Sequence, residues 1–189
     1  MSAGRDELEQ IRERLAVLRA QSGDRAAFGQ LVTSYQERLM YYVHQLILDR
    51  EASHDVLQEI WLDVFRKLGQ LRVPEAFRVW LYRCAHHRAI NHVRRRAAES
   101  QAREELAESL DGEQTWNELE LLERAELVHV ALARLSPAHR EVMVLRFLED
   151  MSLHEIAEVL SCNEGTAKSR LHYAKAALKR IIDQEQSHE

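Results

Sequence analysis

The chain of 189 residues is 46% hydrophobic and 30% charged, with 2 prolines, 6 glycines and a formal net charge of -5. That length suits one large domain or two small ones, and a composition led by Ala, Leu, Glu and Arg predicts an all-α protein. Cys84 and Cys162 lie far apart without a CxxC pair, which argues against a disulfide framework or zinc site and for small buried hydrophobes in a reducing cytosol.

Met1 to Glu7 lacks the apolar core of a signal peptide, and no stretch is long enough to span a bilayer, so a cytoplasmic protein without membrane insertion is expected. Asp6 to Ala20 carries Leu8, Ile11, Leu15 and Leu18, a narrow apolar stripe at helical spacing. Ser22-Gly23-Asp24 breaks it. A second helix follows with Phe28, Leu31, Val32, Tyr35, Leu39, Tyr42, Val43 and Leu46 on one side, and a third runs from about Ala52 to Leu68 on Val56, Ile60, Val64 and Leu68. Gly69 to Pro74 reads as a loop, because Pro74 biases Val73 away from the helical region. The fourth helix, about Glu75 to Arg96, buries Phe77, Leu81, Cys84 and Ala85.

Here the charge segregates. Phe77 to Ala98 holds Arg78, Arg83, Arg88, Arg94, Arg95 and Arg96 and no acid, whereas ten acids from Glu99 to Glu126 face only Arg103 and Arg124. A basic block before an acidic one suggests a chain that touches polyanion at one place and avoids or mimics it at another. Ala98 to Asn117 reads as an acidic linker. A second domain opens near Leu119 with a helix on Leu122, Leu127, Val130 and Leu135. Ser136-Pro137 starts the next helix, which carries Val142, Leu145, Arg146 and Leu148. Ser152-Leu153-His154-Glu155 spells a capping box. A short helix to Leu160, a turn at Ser161-Cys162-Asn163 and a last helix from Glu164 to about Ile182 make a helix-turn-helix pattern.

Three faces emerge. In the helix-turn-helix, Ile156, Leu160, Cys162, Ala167 and Leu171 fill the crossing, leaving Lys168, Arg170 and Lys175 for DNA, with Thr166 and Ser169 able to bond phosphate or base edges. Free amides at Glu164-Gly165-Thr166 suit a phosphate. On the fourth helix Arg83, His87, Asn91, Arg94 and Arg95 share a face with Trp80 one turn earlier, a mix that suits DNA backbone and an unstacked base. Asp55, Gln58, Glu59 and Asp63 line the outward side of the third helix, a stripe that fits a basic partner or is simply a wet face.

Motifs tie these faces to a family. Gly23-Asp24-Arg25-Ala26-Ala27-Phe28 follows G-D-x-x-A-F, and Asp55-Val56-Leu57-Gln58-Glu59-Ile60-Trp61 follows D-x-x-Q-E-x-F with Trp61 for Phe. Phe77-Arg78-Val79-Trp80-Leu81-Tyr82-Arg83 follows F-R-x-W-L-Y-R, and Leu135-Ser136-Pro137-Ala138-His139-Arg140-Glu141-Val142 is similar to L-P-x-x-x-R-E-V. Gly165-Thr166-Ala167-Lys168-Ser169-Arg170-Leu171 follows G-T-V-K-S-R-L. Five in this order resemble the extracytoplasmic-function (ECF) sigma factors, the minimal two-domain branch of the sigma-70 family.

A helical extension over 1–22 lies outside the match; the resemblance implies a region 2-like bundle over 23–97, an acidic linker over 98–118 and a region 4-like domain over 119–185. It implies an alternative sigma factor that binds core RNA polymerase, through its β′ and β subunits, and promoter DNA. Asp55, Gln58, Glu59 and Asp63 would dock on the β′ clamp helices. The loop from Gly69 to Ala76 would capture a flipped base of the -10 element. Arg72, Trp80, Arg83, His87, Asn91, Arg94, Arg95 and Arg96 would hold -10 DNA. The last helix would read the -35 element with Glu164, Gly165, Thr166, Lys168 and Ser169, continued by Arg170, His172, Tyr173 and Lys175. The linker would thread into the polymerase channels, and an anti-sigma factor would mask both domains. Ser161 stands where the family turn usually carries Gly, Ala167 where Val is usual, and Tyr173 where a basic residue is common.

Two rivals remain. A dimeric helix-turn-helix regulator would bind DNA without polymerase. A metal enzyme would use His86, His87 and His92, but adjacent helical histidines point about 100° apart and no HExxH spacing joins them. No catalysis, metal or cofactor is expected.

Overall fold

The computed structural model describes residues 3–104 and 131–186, with side chains for 8–99 and 131–184. Its helices are α1 (Ala3–Gln21), α2 (Arg25–Ile47), α3 (Arg50–Lys67), α4 (Phe77–Glu104), α5 (Pro137–Phe147), α6 (Leu153–Val159) and α7 (Glu164–Gln186), with two single 3₁₀ turns, Leu68–Gln70 and Pro74–Ala76, before α4. Among the described residues there is no strand.

Short polar side chains set where the helices begin. Asp24 caps α2, its carboxylate accepting from the Ala26 and Ala27 amides at 2.9 and 3.1 Å. Those amide bonds and the Arg19 guanidinium hold this carboxyl below the usual range. Asp49 caps α3 through the Ala52 amide. Ser136 and Pro137 open α5 as expected, and Ser152 with Glu155 forms the full reciprocal capping box of α6.

The first unit packs α2, α3 and α4 around Leu31, Tyr35, Leu39, Tyr42, Val56, Ile60, Val64, Phe77, Leu81 and Ala85, all buried. The third-helix stripe of Val56, Ile60, Val64 and Leu68 is buried throughout, as its spacing predicts. Cys84 and Cys162 are both free and only partly buried, and burial pushes the Cys84 thiol up. The Gln21 amide clips α1 to the loop by donating to the Leu68 and Leu71 carbonyls at 2.9 and 2.7 Å.

Two features depart from the sequence reading. α4 runs on to Glu104, through residues 98–104 of the expected linker, because Ala97, Ala98, Gln101 and Ala102 are good helix formers without a stop signal. The apolar stripe of α1 points outward: Leu8, Ile11, Leu15 and Leu18 are exposed, and it is Val17 that is buried. The expected linker beyond 104 and the helix on Leu122, Leu127 and Val130 lie outside the described residues.

The second unit closes Leu132, Leu135, Val142, Leu145, Met151, Ile156, Val159 and Ala167 into its own core. It then packs on the first unit, α6 against α4 and α5 against α2. Polar groups tie the seam. Glu141, 4% exposed, accepts from Tyr42 Oη at 2.5 Å and lies 2.6 Å from His86 Nδ1. Arg140, 2% exposed, donates to the carbonyls of Leu132, Ala133 and Leu135 and, across the seam, of Gln45. Arg38 pairs with buried Glu149 at 2.7 Å, and Arg78 donates to the Glu149 carbonyl and to Glu155. Buried charges persist only when partners surround them, and these are surrounded.

Candidate functional site

α4 sorts its residues by angle. Phe77, Leu81, Tyr82, Ala85 and Ala89 turn inward. Arg83, His87, Asn91 and Arg94 are all exposed and fall on the opposite side, with half-buried Trp80 at its edge against Phe77. Burial, then the neighbouring His86 and Arg83, hold His87 below the usual histidine range, so near pH 7 it offers a neutral donor and acceptor between cations. Arg72 is exposed on the loop between the two 3₁₀ turns.

Two of the arginines expected on -10 DNA turn elsewhere. Arg96 turns to Asp49 at the start of α3, 2.6 Å away, and Arg95 lies 3.8 Å from Glu99. Together with Glu51, Ala52, Asp55 and His92 they line a small mixed-charge groove between α3 and α4. The face of Arg83, His87, Asn91 and Arg94 is therefore the coherent cationic surface, and the seam with the second unit leaves it open.

On α3, Asp55, Gln58 and Glu59 are exposed as expected, but Asp63 is mostly covered. Arg88 of α4 donates to both Glu59 and Asp63, which lowers the Asp63 carboxyl and neutralises that end of the stripe. Leu62 and Phe65, each 55% exposed, lie in line with Asp55 and Gln58 two turns further on. Neither is among the residues predicted from the sequence. Their signal was an apolar residue seven positions after each of Asp55 and Gln58, on what is otherwise the wet side.

α7 presents Gly165, Ser169, His172 and Tyr173 outward, flanked by Glu164, Lys168 and Lys175 along one edge and by Thr166 and Arg170 along the other. Ala167, Leu171 and Ala174 are buried against α6. The first amides are less free than expected. Asn163, absent from the sequence-derived site, caps the helix: its side-chain oxygen accepts from the Thr166 amide at 2.7 Å and from the Thr166 hydroxyl at 2.9 Å. The Ser169 hydroxyl donates to the Thr166 carbonyl. Both hydroxyl hydrogens are thus engaged, which leaves lone pairs to accept from DNA base amines. Lys175 Nζ stands 5.2 Å from the centre of the Phe147 ring, held toward α5. The Glu164 carboxylate is 4.0 Å from His154.

Among the described residues no three His, Cys, Asp or Glu side chains converge to hold a metal. No described helix is long and apolar enough to cross a membrane.

Comparison with known proteins agrees with this layout. The family model described as Sigma-70 region 2 matches residues 31–99, and that described as Sigma-70, region 4 matches 125–178. The RNA polymerase sigma-H factor of Pseudomonas aeruginosa is 34% identical over 185 residues, covering 93% of this chain and 96% of that protein. The ECF RNA polymerase sigma-E factor of Escherichia coli K12 is 30% identical over 180 residues, covering 90% and 94%. Among solved structures, CnrH in complex with the cytosolic domain of CnrY is similar at TM-score 0.66 and 26% identity, covering 92% of this chain and 98% of that one. The fold is shared with Bartonella quintana RpoE, solved with the anti-sigma factor NepR, at TM-score 0.68 and 22% identity, covering 82% and 96%. Two region matches in the right order, on helices that carry the expected exposed faces, leave one assignment: the chain belongs to the sigma-70 family, in its ECF branch.

Proposed function

We propose that this ECF sigma factor reads a promoter with two faces while docked on core RNA polymerase by a third. The carrying observation is that α3, α4 and α7 each present a separate exposed surface of the chemistry its task requires. Asp55, Gln58 and Glu59 dock on the clamp helices of β′, with Leu62 and Phe65 supplying the apolar part of the contact. Asp63 acts through Arg88, which it holds against α3, as a positioning residue.

Arg83, His87, Asn91 and Arg94 hold -10 DNA, Trp80 offers a stacking edge to an unpaired base, and Arg72 with the Gly69–Ala76 loop captures a flipped base. Arg95 and Arg96 lie on the flank nearest the upstream duplex. In the -35 major groove Ser169, His172 and Tyr173 face base edges, while Lys168, Arg170 and the α7 N-terminus contact phosphate. Melting is driven by binding energy, so no catalytic group is assigned, and the site of action is the cytoplasm. An anti-sigma factor that masks both units is proposed on the family resemblance.

A gel shift with purified full-length chain tests the arrangement. A promoter fragment is retained only when core polymerase is present. Retention of a palindrome by the chain alone would favour a dimeric regulator instead.

A further inference from the structure

α1 carries an apolar stripe that nothing among the described residues covers. Leu8, Ile11, Leu15 and Leu18 are 45–58% exposed, while Val17 on the other side is fully buried and Glu13 turns inward to accept from Tyr35. At about 100° per residue the four exposed side chains fall within roughly 80° of arc, directly away from the domain. Their spacing of three, four and three residues is the a and d seam of a coiled coil, narrower than the face a helix lays on a globular core.

Charge on the flanks decides what fits. Arg14 stands on one side of the seam and Arg12 and Arg19 on the other. Arg14 and Arg19 also meet Glu75 and Asp24, in ion pairs whose arginines remain 59% and 53% exposed, so their charge stays available at the surface. A second copy of α1 running parallel would set Arg14 against its mate's Arg19, and one running antiparallel would set Arg12 against that Arg19. Among the side chains from Leu8 onward, both arrangements oppose like charges. A helix lying in a membrane surface favours a broader apolar face with aromatic anchors, and Leu8 to Gln21 contains no aromatic residue.

We propose that this face of α1 is the docking site for one amphipathic helix of another protein, with Leu or Ile along its seam and Glu or Asp on both flanks. The surface shares no residue with the α3, α4 or α7 faces, so it stands or falls apart from the promoter reading.

Fluorescence anisotropy of the full-length chain with two synthetic heptad peptides tests it. Both carry Leu and Ile on the seam; one has Glu on the flanks, its twin Lys. The Glu peptide binds saturably and roughly tenfold or more tighter than the Lys twin. Ile11→Ser with Leu15→Ser abolishes that binding while the thermal melt is unchanged, since both side chains are exposed. Arg12→Glu with Arg14→Glu, which keeps the seam intact, reverses the preference toward the Lys twin. Equal affinity for the two peptides, or no binding of either, overturns the proposal. So does sedimentation as a dimer that the seam variant abolishes, or binding to phosphatidylglycerol vesicles that it abolishes.

Discussion

Ser161 ends α6 in the left-handed region, φ +51, within a Schellman arrangement: its own amide donates to the Glu158 carbonyl and the Cys162 amide to that of Ala157. A side chain there costs about 1–2 kcal/mol, of which glycine would recover part after its own larger chain entropy is counted. Ser161→Gly is therefore expected to raise the unfolding free energy by about 0.5–1 kcal/mol, read from urea midpoints. Asn163 illustrates a different point. Its cap was invisible beside the stronger Glu164-Gly165-Thr166 signal, because Asn in a turn and Asn at a cap look alike until the following amides are placed. Asn163→Ala should cost about 1 kcal/mol and lower promoter affinity by loosening the first turn of α7. Unchanged stability would mean that the cap is idle.

At the scale of elements, periodicity settled what packing confirms and stopped where partners matter. The α3 stripe and the Ser152–Glu155 box were legible because each depends on residues a turn apart. The α1 stripe was legible as a stripe, but not as outward-facing, since a pattern marks an apolar face without saying whether anything covers it. Arg96, which the family resemblance groups with the -10 DNA residues, turns to Asp49, 47 residues earlier in sequence, a pairing no local spacing encodes. The division of labour on α4 and α7 gives a measurable consequence. In holoenzyme binding to a cognate duplex, Lys168→Ala and Arg170→Ala each reduce the slope of log affinity against log salt by about 0.9. Ser169→Ala leaves that slope unchanged and relaxes base preference. Equal salt slopes for all three variants would remove α7 from the phosphates.

For the whole molecule, the seam between the two units is where sequence reasoning saw least. Arg140, Glu141 and Glu149 look like ordinary surface charges, yet all three are buried, because the second unit lays them on Tyr42, His86, Gln45 and Arg38. Glu141→Ala strips an acceptor from Tyr42 inside that seam and is expected to destabilise the chain by roughly 2–3 kcal/mol, checked by thermal or urea unfolding. Stability also depends on pH, through His44 beside the seam and His87 on the open face of α4. Burial, then the Arg140 guanidinium, holds His44 below the usual histidine value, and burial with His86 and Arg83 does the same to His87. The unfolded chain then takes up protons near pH 6.5 before the folded one does. Stability is full above that value and falls as the pH drops from 7 to 5, and His44→Gln flattens part of the decline. The carboxylates held low, Asp24, Asp49, Asp63 and Glu155, act in a lower window, below about pH 4.5.

The central claim is that these surfaces turn core polymerase toward chosen promoters. Run-off transcription with purified core enzyme, this chain and a library of genomic fragments tests it most directly. The account predicts discrete products from a small set of fragments, lost when Arg83 and Arg94 are both replaced by Ala. Absence of any product that depends on the chain, with active core enzyme present, would contradict it.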